Sequence, residues 1–160
     1  MLSTNEKALD TSHVLLDANA SSWTEAIREA CAILERCGDV KAGYADDVIE
    51  RERSYPTGLP SVPYGVAIPH ALVFDNVNSP HIGAMRLTNP VAFRQCGSNG
   101  DEMVDVSFLF VLALNDAQAQ LSTLQRLMSV FSNQETLQAL MHAGSNEEFV
   151  QEFNQGALVC

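Results

Sequence analysis

One histidine in this chain stands where group-transfer chemistry is possible. In Gly65-Val-Ala-Ile-Pro-His70-Ala71, the apolar run Val66 to Ile68 predicts a buried strand, and Pro69, with its fixed φ and no N–H to donate, ends it. His70 is therefore expected at the strand's end, held rigidly at the rim of a sheet, where open α/β folds carry their sites. Gly65 and Ala71 are small and leave room for a second molecule. An imidazole with an unperturbed pKa of roughly 6.5 keeps a large neutral fraction at cellular pH, so one ring nitrogen has a free lone pair. The same fragment also suits a partly buried histidine that only satisfies a backbone carbonyl, and taken alone it leaves both readings open.

Upstream lies Arg51-Glu-Arg-Ser-Tyr-Pro-Thr57-Gly58, with guanidinium and hydroxyl donors of the kind an oxyanion needs. The other histidines, His13, His81 and His142, show no metal-ligand spacing and read as structural or exposed. The cysteines at 31, 37, 96 and 160 form no CxxC pair, so no metal site is expected and the compartment reads as reducing. Cys31 and Cys37 read as small apolar residues of a helix. With no Walker-type glycine loop, no nucleotide cofactor is expected. The lack of a Ser, Cys or paired-carboxylate nucleophile motif speaks against a hydrolase.

The elements that must position His70 follow from periodicity and caps. Ser22-Trp-Thr-Glu25 is a capping box before apolar residues at 23, 26, 27, 30, 33, 34 and 37, with Gly38 as the left-handed stop. His13 to Leu16 predicts a short strand, and Tyr44 to about Arg53 a helix with Val48 and Ile49 inward. Residues 54–64 hold three of the six prolines and read as a loop. Strand character returns at Gly65 to Ile68, His81 to Leu87 and Val104 to Leu114, with Val91 to Gln95 as a short partner of the second. The third is apolar nearly throughout, as a central strand covered on both faces would be. Asn115, Ser132 and Ser145 are read as the caps of three closing helices. Leu121, Leu124, Leu127, Met128 and Phe131 are expected inward on the first, and Gly144 and Gly156 end the other two. The fold expected is a single α/β domain over residues 1–160, core about 10–155, with a small mixed sheet carrying helices on both faces.

Bulk properties agree. At 160 residues and 46% hydrophobic, the chain suits one core of ordinary size. A net charge of -11, from 20 acidic against nine basic residues, argues against nucleic acid or an anionic membrane as partner. No stretch approaches the roughly 20 apolar residues of a membrane span, and no signal segment is evident, so a cytoplasmic protein is expected.

The fragment from Arg51 to His70 resembles the active-site signature of the mannitol/fructose superfamily of phosphotransferase-system enzyme IIA domains, in which an arginine-glutamate pair, a Thr-Gly loop and Ala-Ile-Pro-His recur in this order. The resemblance runs from about Trp23 to Met141. It is nearest to the galactitol-specific branch, on Pro56-Thr57-Gly58, Ala67 to His70, Leu87-Thr-Asn-Pro90 with Val91 and Phe93, and Gln118-Ala-Gln120-Leu121. It implies that His70 takes a phosphoryl group from phospho-HPr on Nε2 and passes it to a cysteine of a IIB component, which serves a membrane IIC component in uptake of a polyol such as galactitol. It also implies that Arg51 and Thr57 receive the phosphoryl oxygens, with Arg53 the competing cation. Mannitol and fructose members carry a second histidine where this chain has Gln120, as the galactitol branch does; an amide can donate a hydrogen bond but carries no charge. A regulatory nitrogen-type IIA phosphoacceptor, with the same fold and histidine, is the alternative.

Overall fold

The computed structural model describes residues 9–98 and 101–158; Cys160 lies outside them. The elements are β1 (Val14–Ala18), α1 (Trp23–Arg36), α2 (Tyr44–Ser54), β2 (Gly58–Leu59), β3 (Gly65–Ala67), β4 (His81–Arg94), β5 (Met103–Ala113), α3 (Ala117–Phe131), α4 (Gln134–His142) and α5 (Asn146–Leu158). The strands form one mixed sheet in the order β1-β4-β5-β3-β2. β5 lies between an antiparallel β4 and a parallel β3. Its run from Val106 to Ala113 is buried at every position, because helices cover both faces of the sheet.

Alternation divides the core in two. Met85 and Leu87 of β4 join Ile27, Leu34, Val48 and Ile49 on the face covered by α1 and α2. Ile82 and Ala84 join Leu127, Phe131, Leu137 and Phe149 on the face covered by α3, α4 and α5. The start of α1 follows its cap chemistry. The Ser22 side chain accepts from the Glu25 amide, while the Glu25 carboxylate reaches the Ser21 amide, one residue earlier than a standard capping box. At its end Gly38 has φ +80, and the Asp39 amide bonds back to the Leu34 carbonyl. Cys31 is buried under this helix, which pushes its thiol up to about 12.

Several expectations are corrected. Residues 54–64 are not all loop, since Gly58 and Leu59 pair antiparallel with Ala67 and Val66. Val91 to Gln95 is not a separate partner of the strand before it. Val91 to Arg94 continues β4 and pairs with β5, after a bulge in which five steps along β4 match two along β5. Pro90 has no ladder hydrogen bond to give, and the exposed Thr88-Asn89-Pro90 is where the extra residues are accommodated. The caps of α3 and α4 are Asp116 and Asn133, each one residue from the position read in sequence. Gly156 does not end α5 but lies inside it, where a Cβ would stand 2.7 Å from Thr136 Cγ2, so the glycine lets α5 approach α4. Leu121 and Met128 face outward, 58% and 49% exposed, while Leu127 and Phe131 are buried.

Leu112 of β5 is gripped from two sides, by the turn that follows β3 and by α2. The Leu112 amide donates to the Pro69 carbonyl at 3.1 Å, and the Leu112 carbonyl accepts from the buried Tyr44 hydroxyl at 2.6 Å. At the other end of β3 an added Cβ on Gly65 would lie 2.3 Å from the Asp105 carbonyl oxygen, which is backbone and cannot rotate away. Gly65→Ala is therefore expected to destabilise the protein by about 2 kcal/mol or more. A urea midpoint equal to that of the unchanged protein would show that β3 and β5 can separate without cost.

Candidate functional site

His70 stands just beyond β3 and is bridged to Leu112 of β5. It is 7% exposed. Its Nδ1 lies 2.8 Å from the Ile68 carbonyl oxygen. A carbonyl only accepts, so the proton sits on Nδ1 and Nε2 keeps its lone pair. Burial lowers the pKa of His70, the Ile68 carbonyl opposes that shift, and the Arg51 cation adds to it. The ring is thus held neutral with Nε2 as its nucleophilic atom.

The backbone that holds this ring is fixed by a buried carboxylate. Glu52, 3% exposed, accepts from the Thr57 amide at 2.7 Å and from the Thr57 hydroxyl at 2.8 Å. Thr57 Oγ1 in turn accepts from the Ile68 amide at 3.2 Å. A chain of polar contacts thus runs from Glu52 through Thr57 and the Ile68 peptide to His70. Burial pushes the Glu52 carboxyl above the usual carboxylate range, against the pull of its Thr57 hydrogen bonds and of Arg94 and Arg51. Thr57 has one hydroxyl proton and spends it on Glu52, so its side chain holds the loop and has no proton left for a ligand.

His70, Arg51 and Thr57 line one open cavity of about 510 Å3, together with Tyr55, Leu59, Cys96, Ser98, Leu124 and Met128 among others. Arg51 is in the last turn of α2, where helix carbonyls favour a cation, and its guanidinium carbon lies 4.0 Å from the centre of the Tyr55 ring. Its Nε is buried with no hydrogen-bond partner among the described residues. A buried guanidinium N–H without an acceptor is costly unless a ligand supplies one, and an anion oxygen is the natural acceptor. Arg53 is different: its side chain is 59% exposed, 3.9 Å from Glu50, and it is not among the cavity residues. Gln120 is not among them either. It lies in the first turn of α3, one turn before Leu124, which is.

Sequence reasoning passed over Glu52 as an anchor, although the signature contains it, because a glutamate in a charged helix end reads as solvated. It also missed the apolar wall of Tyr55, Leu124 and Met128. The outward Met128 that departs from the expected helix face is part of that wall, which is the signal a moment-based reading discards.

This geometry has relatives. Residues 7–156 match the family described as phosphoenolpyruvate-dependent sugar phosphotransferase system, EIIA 2. The galactitol-specific EIIA component of Escherichia coli K12 is 33% identical over 90 residues, which is 56% of this chain and 58% of that protein, so the match spans less than two thirds of the relative. The nitrogen regulatory protein IIA-Ntr from Neisseria meningitidis superimposes with a TM-score of 0.73 at 28% identity, covering 91% of this chain and 96% of that one. The mannitol enzyme IIA from Escherichia coli, solved in complex with phosphorylated mannitol enzyme IIB, gives a TM-score of 0.76 at 22% identity over 92% and 97% of the two chains, a likeness of fold. Matched over all but the ends of its length, with the signature histidine at the sheet rim, this chain belongs to the EIIA 2 family of the phosphoenolpyruvate-dependent sugar phosphotransferase system.

Proposed function

We propose that the chain is a cytoplasmic phosphoryl relay in which His70 is the phosphoacceptor. Nε2 attacks the phosphorus of phospho-HPr. The P–N bond to the carrier's histidine breaks as the bond to His70 forms. A cysteine thiolate of the IIB partner then attacks in turn, the P–N bond to His70 breaks, and a P–S bond forms. Both steps exchange one activated linkage for another, so neither nucleotide nor metal enters the transfer. The observation that carries this reading is the pairing, in one cavity, of a neutral imidazole whose Nε2 keeps its lone pair and a buried Arg51 Nε–H that has no acceptor among the described residues. Charge spreads over the equatorial oxygens of the transferring group, and Arg51 supplies a fixed donor there.

Uptake of a polyol such as galactitol, through IIB and a membrane IIC component, is the physiological role proposed. The galactitol-specific relative supports the substrate, and the complex formed by the mannitol protein supports the IIB partner. No helix among the described residues is long and apolar enough to cross a membrane, in keeping with a protein that meets the transporter by docking. A nitrogen-type regulator is the second reading, favoured by the IIA-Ntr match at 28% identity. Label passing from His70 to a IIB cysteine separates the two.

Four outcomes are expected. Incubation with radiolabelled phospho-HPr and a chelator labels the chain with acid-labile, alkali-stable phosphate, and His70→Ala abolishes the label; acid-stable label, or label persisting in His70→Ala, overturns the reading. The imidazole of His70, followed by NMR of its ring protons, titrates below the roughly 6.5 of a free histidine, because burial and Arg51 both disfavour the cation. Labelling therefore persists to lower pH than a free imidazole would allow and is lost only as the ring protonates. Arg51→Gln removes the neighbouring charge and moves this pKa upward, while slowing transfer by about 100-fold; an unmoved titration would place the guanidinium elsewhere. Lastly, Gln120 is proposed to donate its amide at the cavity edge, as the counterpart of the second histidine in mannitol members. Gln120→Ala then slows transfer and Gln120→His is tolerated, whereas an unchanged rate in the alanine variant removes Gln120 from the site.

A further inference from the structure

The last turn of α2 carries Arg51 and Glu52 to the site, and its carbonyls are among those that a helix end leaves without an intrahelical donor. Two of them are taken up from outside the helix. Arg94, the last residue of β4, donates from Nη2 to the carbonyls of Glu52, at 3.4 Å, and of Arg53. The Tyr55 amide closes on the Arg51 carbonyl at 2.8 Å, so the carbonyls of Arg51, Glu52 and Arg53 are all occupied. A cation is favoured at this point because the carbonyls of a helix C-terminus carry partial negative charge.

The chain around Arg94 also grips the far end of the segment that leaves α2. The Cys96 amide donates to the Gly58 carbonyl at 2.8 Å, and Gln95 is bridged to Gly58. A Cβ added to Gly58 would stand 2.6 Å from the Arg94 carbonyl oxygen, an approach that only a residue without a side chain permits. Residues 55–57 are therefore suspended between the α2 terminus and Gly58, and residues 94–96 hold both points. Thr57, which binds Glu52 and the Ile68 amide, lies inside that span. Arg94 is not among the residues that line the His70 cavity, whereas Arg51, Thr57 and Cys96 are.

The electrostatics run the same way. Burial raises the pKa of Glu52, and the groups that oppose this are the two Thr57 donors from the loop, then the cations Arg94 from β4 and Arg51 from its own helix. Both Glu52 oxygens accept from Thr57, which a carboxylate can do and a protonated acid cannot do without turning one donor away. Arg94 thus favours the ionised form that holds Thr57. His70 responds to burial, the Ile68 carbonyl and Arg51, and Arg94 is not among the groups that shift it. An effect of Arg94 on the imidazole therefore passes through the groups it positions, Arg51 first among them.

We propose that Arg94 is a positioning residue for the transfer assigned above to His70: docked on the carbonyls that end α2, its guanidinium aims the turn from which Arg51 and Glu52 reach the site. The functional meaning rests on the relay reading, but the geometry is measurable without it. A side chain that only caps a helix contributes to Tm and leaves the imidazole alone. One that fixes Arg51 beside His70 sets the titration of that ring.

The test is the titration of His70 by NMR of its ring protons, with no carrier present. Arg94→Met keeps the aliphatic stem and removes donor and charge; Arg51 then loses its fixed place, and the pKa of His70 moves upward, in the direction expected of Arg51→Gln. In the double variant Arg94→Met/Arg51→Gln the shift equals that of Arg51→Gln alone, since the two act on one path. Arg94→Lys, whose ammonium also donates to carbonyls, moves the titration back toward that of the unchanged protein. Arg28→Met breaks the 2.8 Å ion pair with Asp46 in the first turn of α2 and leaves the titration where it was. If the methionine protein does not fold, Arg94→Gln, whose shorter side chain ends before the α2 carbonyls, serves the same comparison. Transfer from phospho-HPr is slowed about tenfold in Arg94→Met, less than the roughly 100-fold expected for Arg51→Gln. Its loss on acidification begins at a higher pH, because Glu52 and His70 both protonate more readily. A His70 titration unmoved in the folded variant, or shifts that add in the double variant, overturns the inference. An unchanged protein that takes no label from phospho-HPr overturns the relay reading instead, and the titration still decides the place of Arg94.

Discussion

The candidate site depends on one buried carboxylate. Glu52 comes from the last turn of α2, yet through Thr57 it fixes a peptide of the strand end that bears the histidine. A glutamate so placed has lost its water, which raises its pKa, and Thr57 returns two hydrogen bonds in compensation. The same contacts bring Arg51, one residue away on the helix, into the cavity of His70. The loop at 54–64 is held by Glu52 together with the Cys96 amide on the Gly58 carbonyl and the Tyr64 ring set edge-on against Phe108. Its two-residue strand β2 is anchored on β3, and much of the rest is exposed.

A second constraint works from below. β5 is covered on both faces, and its Leu112 bonds to Pro69 on one side and Tyr44 on the other. Proline supplies no amide at that point, so the strand ends while its carbonyl still pairs. The imidazole that follows is then oriented by a carbonyl only two residues behind it. Little side-chain entropy remains to be lost when a partner docks, and the neutral ring needs no prior deprotonation. The cavity combines this rigid polar floor with an apolar wall, Tyr55 and Met128 standing 59% and 49% exposed. In a chain of net charge -11, Arg51 places a local cation at the cavity.

The histidine pair at the sheet edge shows a different economy. His13 and His81 were each unremarkable in sequence, standing 26 and 42 positions from Asp39, and Cys37 looked like part of an apolar helix face. Parallel pairing of β1 with β4 brings Val14 opposite Ala84, and this register carries both histidines to the same rim. The Schellman-type turn at Gly38 then reverses the chain so that Asp39 points back under them. Such a cluster has no spacing signature, because its members are brought together by strand order alone.

What the sequence determined is what local chemistry controls. The α/β class, the covered central strand, the first two helices and the strand-proline-histidine unit at 65–70 all follow from periodicity, caps and the φ of proline, which need no knowledge of neighbours. The helix caps at 116 and 133 slipped by one residue because adjacent polar side chains compete for the same amides, and the joining of 81–94 into one strand was hidden by a proline that a bulge accommodates. Tertiary structure alone decided which arginine of the pair enters the cavity, that Thr57 spends its hydroxyl on Glu52, and that His13 and His81 stack and share the Asp39 carboxylate. Each of these rests on which way one element faces another across the sheet, and that is set by packing of the two cores, a property of the whole chain that no short segment carries.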